Sequence, residues 1–162
     1  MAAFASVAAA VTVPPTAKAQ TSEAETENPE LEPIRKLVAA YDAAFAKQDL
    51  DGVMATLSGD AVFMGNGPGE VWSGPEEIKA AHRHFFEGFD VGEQSFDYEF
   101  NIGHVSGDTA WMLTSGNVNG TKDGKDYTFP VNISLVATKN GENWAIAALH
   151  FSNFGGDEED EE

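Results

Sequence analysis

At 162 residues the chain has room for one domain with a real core, and 42% hydrophobic residues, including 11 Phe, can fill it. The absence of Cys excludes disulfides, thiol chemistry and thiolate metal sites. A net charge of −18 opposes nucleic-acid binding and attraction to anionic lipid, and residues 33–156 alone hold 16 acids against 8 Lys and Arg.

Residues 1–19 are small and apolar almost throughout and end in Ala17-Lys18-Ala19, an A-x-A cleavage pattern before Gln20. They read as a signal-peptide-like leader of an exported, periplasmic or secreted protein. The missing positive n-region implies a true start upstream of Met1. Residues 20–32 carry Glu23, Glu25, Glu27, Glu30 and Glu32 without a core pattern and read as an acidic disordered linker. No stretch reaches the ~20 apolar residues of a membrane span.

The domain is expected over residues 33–154. Pro33 suits a first helical position, and Ile34, Leu37, Tyr41 and Phe45 recur on one face of a helix over residues 33–48. This places the Tyr41 phenol on the buried side. Asp51 is expected to cap a short helix from Gly52 to Leu57, and Ala61–Met64 to form a strand. The loop Gly65-Asn66-Gly67-Pro68-Gly69 lacks the Lys-Ser/Thr of a phosphate cradle, so no nucleotide cofactor is implied. After Glu70-Val71-Trp72, a helix with Glu76 and Glu77 in its first turn carries Ile78, His82, Phe85 and Phe89 on one face. His82 therefore points inward and His84 away. Their spacing cannot chelate from one helical face, so no metal is expected.

Four strands should follow, joined by turns at Ser106-Gly107-Asp108, Gly120–Lys125 and Asn140-Gly141. Strict alternation puts Phe96, Tyr98, Phe100 and Ile102 on one face of the first strand. Trp111 and Leu113 share a face of the second, and Asn132 and Ser134 a face of the third. In the last strand, Trp144, Ile146, Ala148, His150 and Ser152 share one face, and neither face is fully polar. Such a strand is covered on both sides, here by helices and by a second subunit, which predicts a homodimer. Helices first and long strands after give an α+β order. Gly155–Glu162 reads as a solvated acidic tail.

Three segments carry a resemblance. Trp144-x-Ile146-x-x-x-His150-x-Ser152 resembles the closing strand of the nuclear transport factor 2-like superfamily, especially its SnoaL-like branch. The run from Asp49-Leu50-Asp51 to Asp60-Ala61-Val62-Phe63 is similar to that superfamily's opening, and Trp72-x-Gly74-x-x-x-Ile78 to its third helix. The resemblance implies a cystatin-like α+β roll: a cone-shaped, curved antiparallel sheet wrapped on a long N-terminal helix, with a pocket at its mouth. It also implies a small-molecule ligand. Tyr41, eight residues before Asp49, matches the pocket Tyr of isomerase-like members. Their catalytic Asp is replaced here by Gly65-Asn66, and their second acid has no counterpart between Tyr127 and Trp144 apart from the turn residue Glu142. The reading is thus a pocket for a small apolar or aromatic molecule, walled by Trp72, Phe85 and Trp111, with His82 and Asn132 as polar contacts. The alternative is a cyclase-, isomerase- or dehydratase-type enzyme with His150 as general base and Tyr41 as donor.

Overall fold

The computed structural model describes residues 28–153. The leader, most of the linker and the acidic tail lie outside them. The linker's last residues are folded: the Asn28 side chain accepts a hydrogen bond from the Glu30 N–H and opens a 3-10 turn, Pro29–Leu31. Leu31, the one large apolar residue in that acidic stretch, is 1% exposed and lies beneath Gly103. Its burial extends the domain N-terminally beyond the expected boundary.

Helix α1 spans Glu32–Ala46 and α2 spans Leu50–Ala55. The cap of α2 is Asp49, whose Oδ1 accepts from the Gly52 N–H at 3.0 Å, and not Asp51. Asp49→Ala should cost about 1 kcal/mol of stability, read as a lower urea midpoint at unchanged m-value. Strand β1 (Leu57–Met64), β2 (Val71–Ser73) and helix α3 (Gly74–Phe86) come next. The chain then forms β3 (Ser95–Ser106), β4 (Thr109–Lys122), β5 (Lys125–Asn140) and β6 (Asn143–Asn153). The turn between β4 and β5 is just Asp123-Gly124, both with positive φ (52° and 73°), so both strands run up to a tight hairpin.

The six strands lie in the order β2-β1-β6-β5-β4-β3. This is the expected α+β roll with one parallel pair, β1 beside β6. Those strands are far apart in sequence, so no hairpin dictates their direction. The inner face of the sheet packs on the helices around Ile34, Val53, Phe63, Ile78 and Ile146, each at most 1% exposed.

Two bulges break the alternation. In β3 the register steps from Tyr98↔Gly116 to Phe100↔Ser115, leaving Glu99 as the extra residue. In β6 it steps from Ile146↔Ala137 to Ala148↔Val136, leaving Ala147 extra. Each inserted residue exchanges the faces of the residues after it in the strand. Phe96 and Tyr98 therefore face inward while Phe100 and Ile102 face outward. Ile146, Leu149 and Phe151 face inward while His150 and Ser152 face outward.

Candidate functional site

A cavity of about 740 Å³ opens between α1, the end of α3 and the inner face of β3–β6. Helix α1 contributes Val38, Tyr41, Asp42 and Phe45, and Phe85 and Phe89 close one side. The sheet contributes Phe96 and Tyr98 from β3, Met112, Thr114 and Val118 from β4, Tyr127 to Leu135 on alternate positions of β5, and Leu149 and Phe151 from β6. The walls are therefore largely aromatic and aliphatic, as in small-molecule sites.

Two polar constellations touch this space. The first is a buried relay. His82 is 0% exposed, its Nδ1 lies 2.8 Å from the Ile78 carbonyl, and its Nε2 lies 2.9 Å from the Tyr41 hydroxyl. A carbonyl only accepts, so Nδ1 carries the proton. Burial holds the imidazole pKa below its ordinary value, so the ring is neutral and Nε2 accepts. The Tyr41 hydroxyl must then donate to His82. Burial also pushes the phenol pKa upward, which keeps it protonated. The expected role of Tyr41, donation to a ligand, is thereby corrected. Its proton is committed to His82, and toward the cavity its oxygen offers lone pairs.

The second constellation is absent from the residues that the sequence singles out. Asp42 lines the cavity, and its Oδ2 accepts from the Tyr98 hydroxyl at 2.7 Å. Desolvation by burial pushes its carboxyl up to about 6, against the smaller opposing effect of the Tyr98 hydrogen bond. Tyr98 is likewise raised, first by burial and then by the Asp42 charge. The sequence holds one signal for this pair: Ile34, Val38, Asp42 and Phe45 form a single row on α1, so an acid sits within the inward-facing row.

Of the other expected site residues, Phe85 lines the cavity and meets Phe151 edge-on at 5.6 Å. Trp72 stands behind it, edge-on to Phe85 at 5.4 Å, and buttresses the wall without forming it. His82 acts through Tyr41. Trp111, Asn132 and His150 are corrected: all three lie on the outer face of the sheet. On β4 and β5 the inward positions are Met112, Thr114, Val131 and Ile133, which turns Trp111 and Asn132 outward. On β6 the Ala147 bulge turns His150 outward, opposite Ser134 and Met64. His150 and Tyr41 are thus on opposite sides of the sheet. Among the described residues, no three His, Cys, Asp or Glu side chains converge as metal ligands. No helix among them is long and apolar enough to cross a membrane.

Comparison with known proteins places this geometry. The family model for a SnoaL-like domain matches residues 34–155. No curated protein sequence matches the chain. Among solved structures, it is similar to a proposed dehydratase of the NTF2-like family from Streptomyces avermitilis, at 17% identity and TM-score 0.68, over 78% of this chain and 97% of that one. A ketosteroid isomerase-like protein from Erwinia carotovora atroseptica aligns at 26% identity and TM-score 0.61, over 80% and 99%. A protein of unknown function with a cystatin-like fold from Nostoc punctiforme aligns at 17% identity and TM-score 0.66, over 76% and 90%. The chain belongs to the SnoaL-like domain family.

Proposed function

We propose that the protein holds a small apolar or aromatic molecule in this cavity, and that it does so as an exported homodimer. The cavity carries the first part: about 740 Å³ walled largely by apolar side chains, with the Asp42–Tyr98 pair available to orient a ligand. The leader's Ala17-Lys18-Ala19 pattern supports export.

The outer face of the sheet supports the dimer. Strand register sets Val62, Ala148, Val136 and Trp111 in one row, and Met64, His150, Ser134 and Leu113 in the next. Val62, Met64, Trp111 and Leu113 are 38–46% exposed. A contiguous apolar face of this kind suits a second copy packing sheet to sheet. In this reading His150 is an interface residue.

Native mass spectrometry of residues 20–162, purified from the host, tests both parts. A dimer carrying an additional small-molecule mass is the expected result. A bare monomer would overturn both.

A second reading is favoured by the Asp42 carboxyl, which burial poises at about 6: general acid–base catalysis on the bound molecule. If so, Asp42→Asn lowers turnover of the identified ligand at least ~100-fold, whereas His150→Gln leaves it unchanged. Equal turnover by wild type and Asp42→Asn would refute Asp42 as the acid–base group, and no turnover by the wild type would leave a binding protein only.

A further inference from the structure

We propose that the ligand is a hydrophobic organic cation, an apolar or aromatic body bearing a protonated or quaternary amine. This rests on the pocket reading above and narrows it to one chemical class.

The sheet side of the cavity carries two aromatic ladders. Phe96 and Tyr98 stack with centroids 5.9 Å apart and planes 10° apart. Tyr127 and Phe129 stack at 5.9 Å and 16°. Register places them on either side of β4: Phe96 and Phe129 both pair with Val118, Tyr98 with Gly116, and Tyr127 with Gly120. Val118 stands between Phe96 and Phe129, while Gly116 and Gly120 carry no side chain beside Tyr98 and Tyr127. A Cβ at Gly120 would overlap the Tyr127 ring, and one at Gly116 the Asp97 carbonyl. The ladders are two strand spacings apart, roughly 10 Å. Both ladders form cavity wall, and an aromatic face attracts a cation within about 6 Å of its centre.

The charges point the same way. The cavity is lined by two acids, Asp42 and Glu87, against the single imidazole of His84 and no Lys or Arg. Among the described residues, Glu87 faces His84 at 3.5 Å, while Asp42 has the Tyr98 hydroxyl and no Lys or Arg partner. A carboxylate ligand would meet Asp42 with no counter-charge. A neutral ligand would gain apolar contact alone. A cation gains the aromatic wall and the carboxylate together. The chain's net charge of −18 also raises the local concentration of cations.

Calorimetric titration of the full chain with three probes of similar shape tests this: phenyltrimethylammonium, its neutral isostere tert-butylbenzene, and benzoate. Phenyltrimethylammonium should bind at least tenfold more tightly than tert-butylbenzene, and benzoate should not bind. Asp42→Asn and Phe129→Leu should each reduce the preference for the cation at least threefold. If tert-butylbenzene binds as tightly as the ammonium, the cation proposal fails and the apolar pocket stands. If benzoate binds best, the charge argument is wrong. If none of the three binds, both this proposal and the pocket reading fall.

Discussion

Replacing His82 by alanine should destabilise the fold by about 3–5 kcal/mol. The side chain is fully buried, and Phe45, Phe63, Phe85 and Phe86 pack around its ring with centroids 5.5–6.1 Å away. Its loss opens a cavity and leaves two polar groups, the Ile78 carbonyl and the Tyr41 hydroxyl, short of a partner. Tyr41→Phe alone should cost less, about 1–2 kcal/mol, because it removes one hydroxyl and keeps the ring. The double variant should be more stable than the sum of the two losses predicts, by about 1–2 kcal/mol, since the orphaned hydroxyl is then gone as well. Urea denaturation of the four proteins measures the coupling. Additive losses would mean that the Tyr41–His82 bond contributes nothing.

Asp42→Asn should stabilise the protein at neutral pH by about 3 kcal/mol and leave it nearly unchanged at pH 3.5. The direction of the shift sets the sign. The carboxyl titrates near 3.8 in the unfolded chain and at about 6 in the fold, so the folded state binds the extra proton in between. Wild-type stability from this group is full below about 3.8 and is lost as pH rises toward 6. His82 acts in the opposite sense. Its pKa is lowered by burial, so its contribution is present above the ordinary value of 6.5 and is lost as pH falls. The two slopes oppose one another in the wild type on the acid side of pH 6. In Asp42→Asn only the His82 slope remains, and stability should climb with pH through that range. Parallel profiles for the two proteins would refute the assignment to Asp42.

Much of this fold is legible in the sequence because its signals are local. The i, i+3, i+7 row of α1, the acids at the start of α3 and the glycine turns each speak for a few residues at a time. The Tyr41 and His82 positions come from helical periodicity, which one residue of error scarcely disturbs. The misplaced residues all lie on strands, where period-two alternation leaves no such margin. A bulge leaves no mark in the residue pattern when the strand is apolar on both faces. The run Ala145-Ile146-Ala147-Ala148-Leu149 reads equally well in either register. Trp111 fails for a different reason: β4 carries large apolar residues on both faces, and only the helix packing distinguishes wall from outer surface, whereas Asn132 lies with Thr128 and Ser134 on the polar face of β5, away from its apolar wall. Asp42 escapes notice because an acid next to a buried Tyr reads as the polar side of a helix, and its Tyr98 partner lies on another element.

The Ala147 bulge has a consequence for comparing relatives. Counting forward from the Asn140-Gly141 turn and counting back from the His-x-Ser ending disagree by one position, so alignment with a relative that lacks the extra residue needs its gap inside the last strand. Such a relative, aligned without that gap, would have its cavity wall and its outer surface exchanged from that point on. Wall positions would then be assigned to residues of the outer face, and drift at the true wall would pass as surface variation.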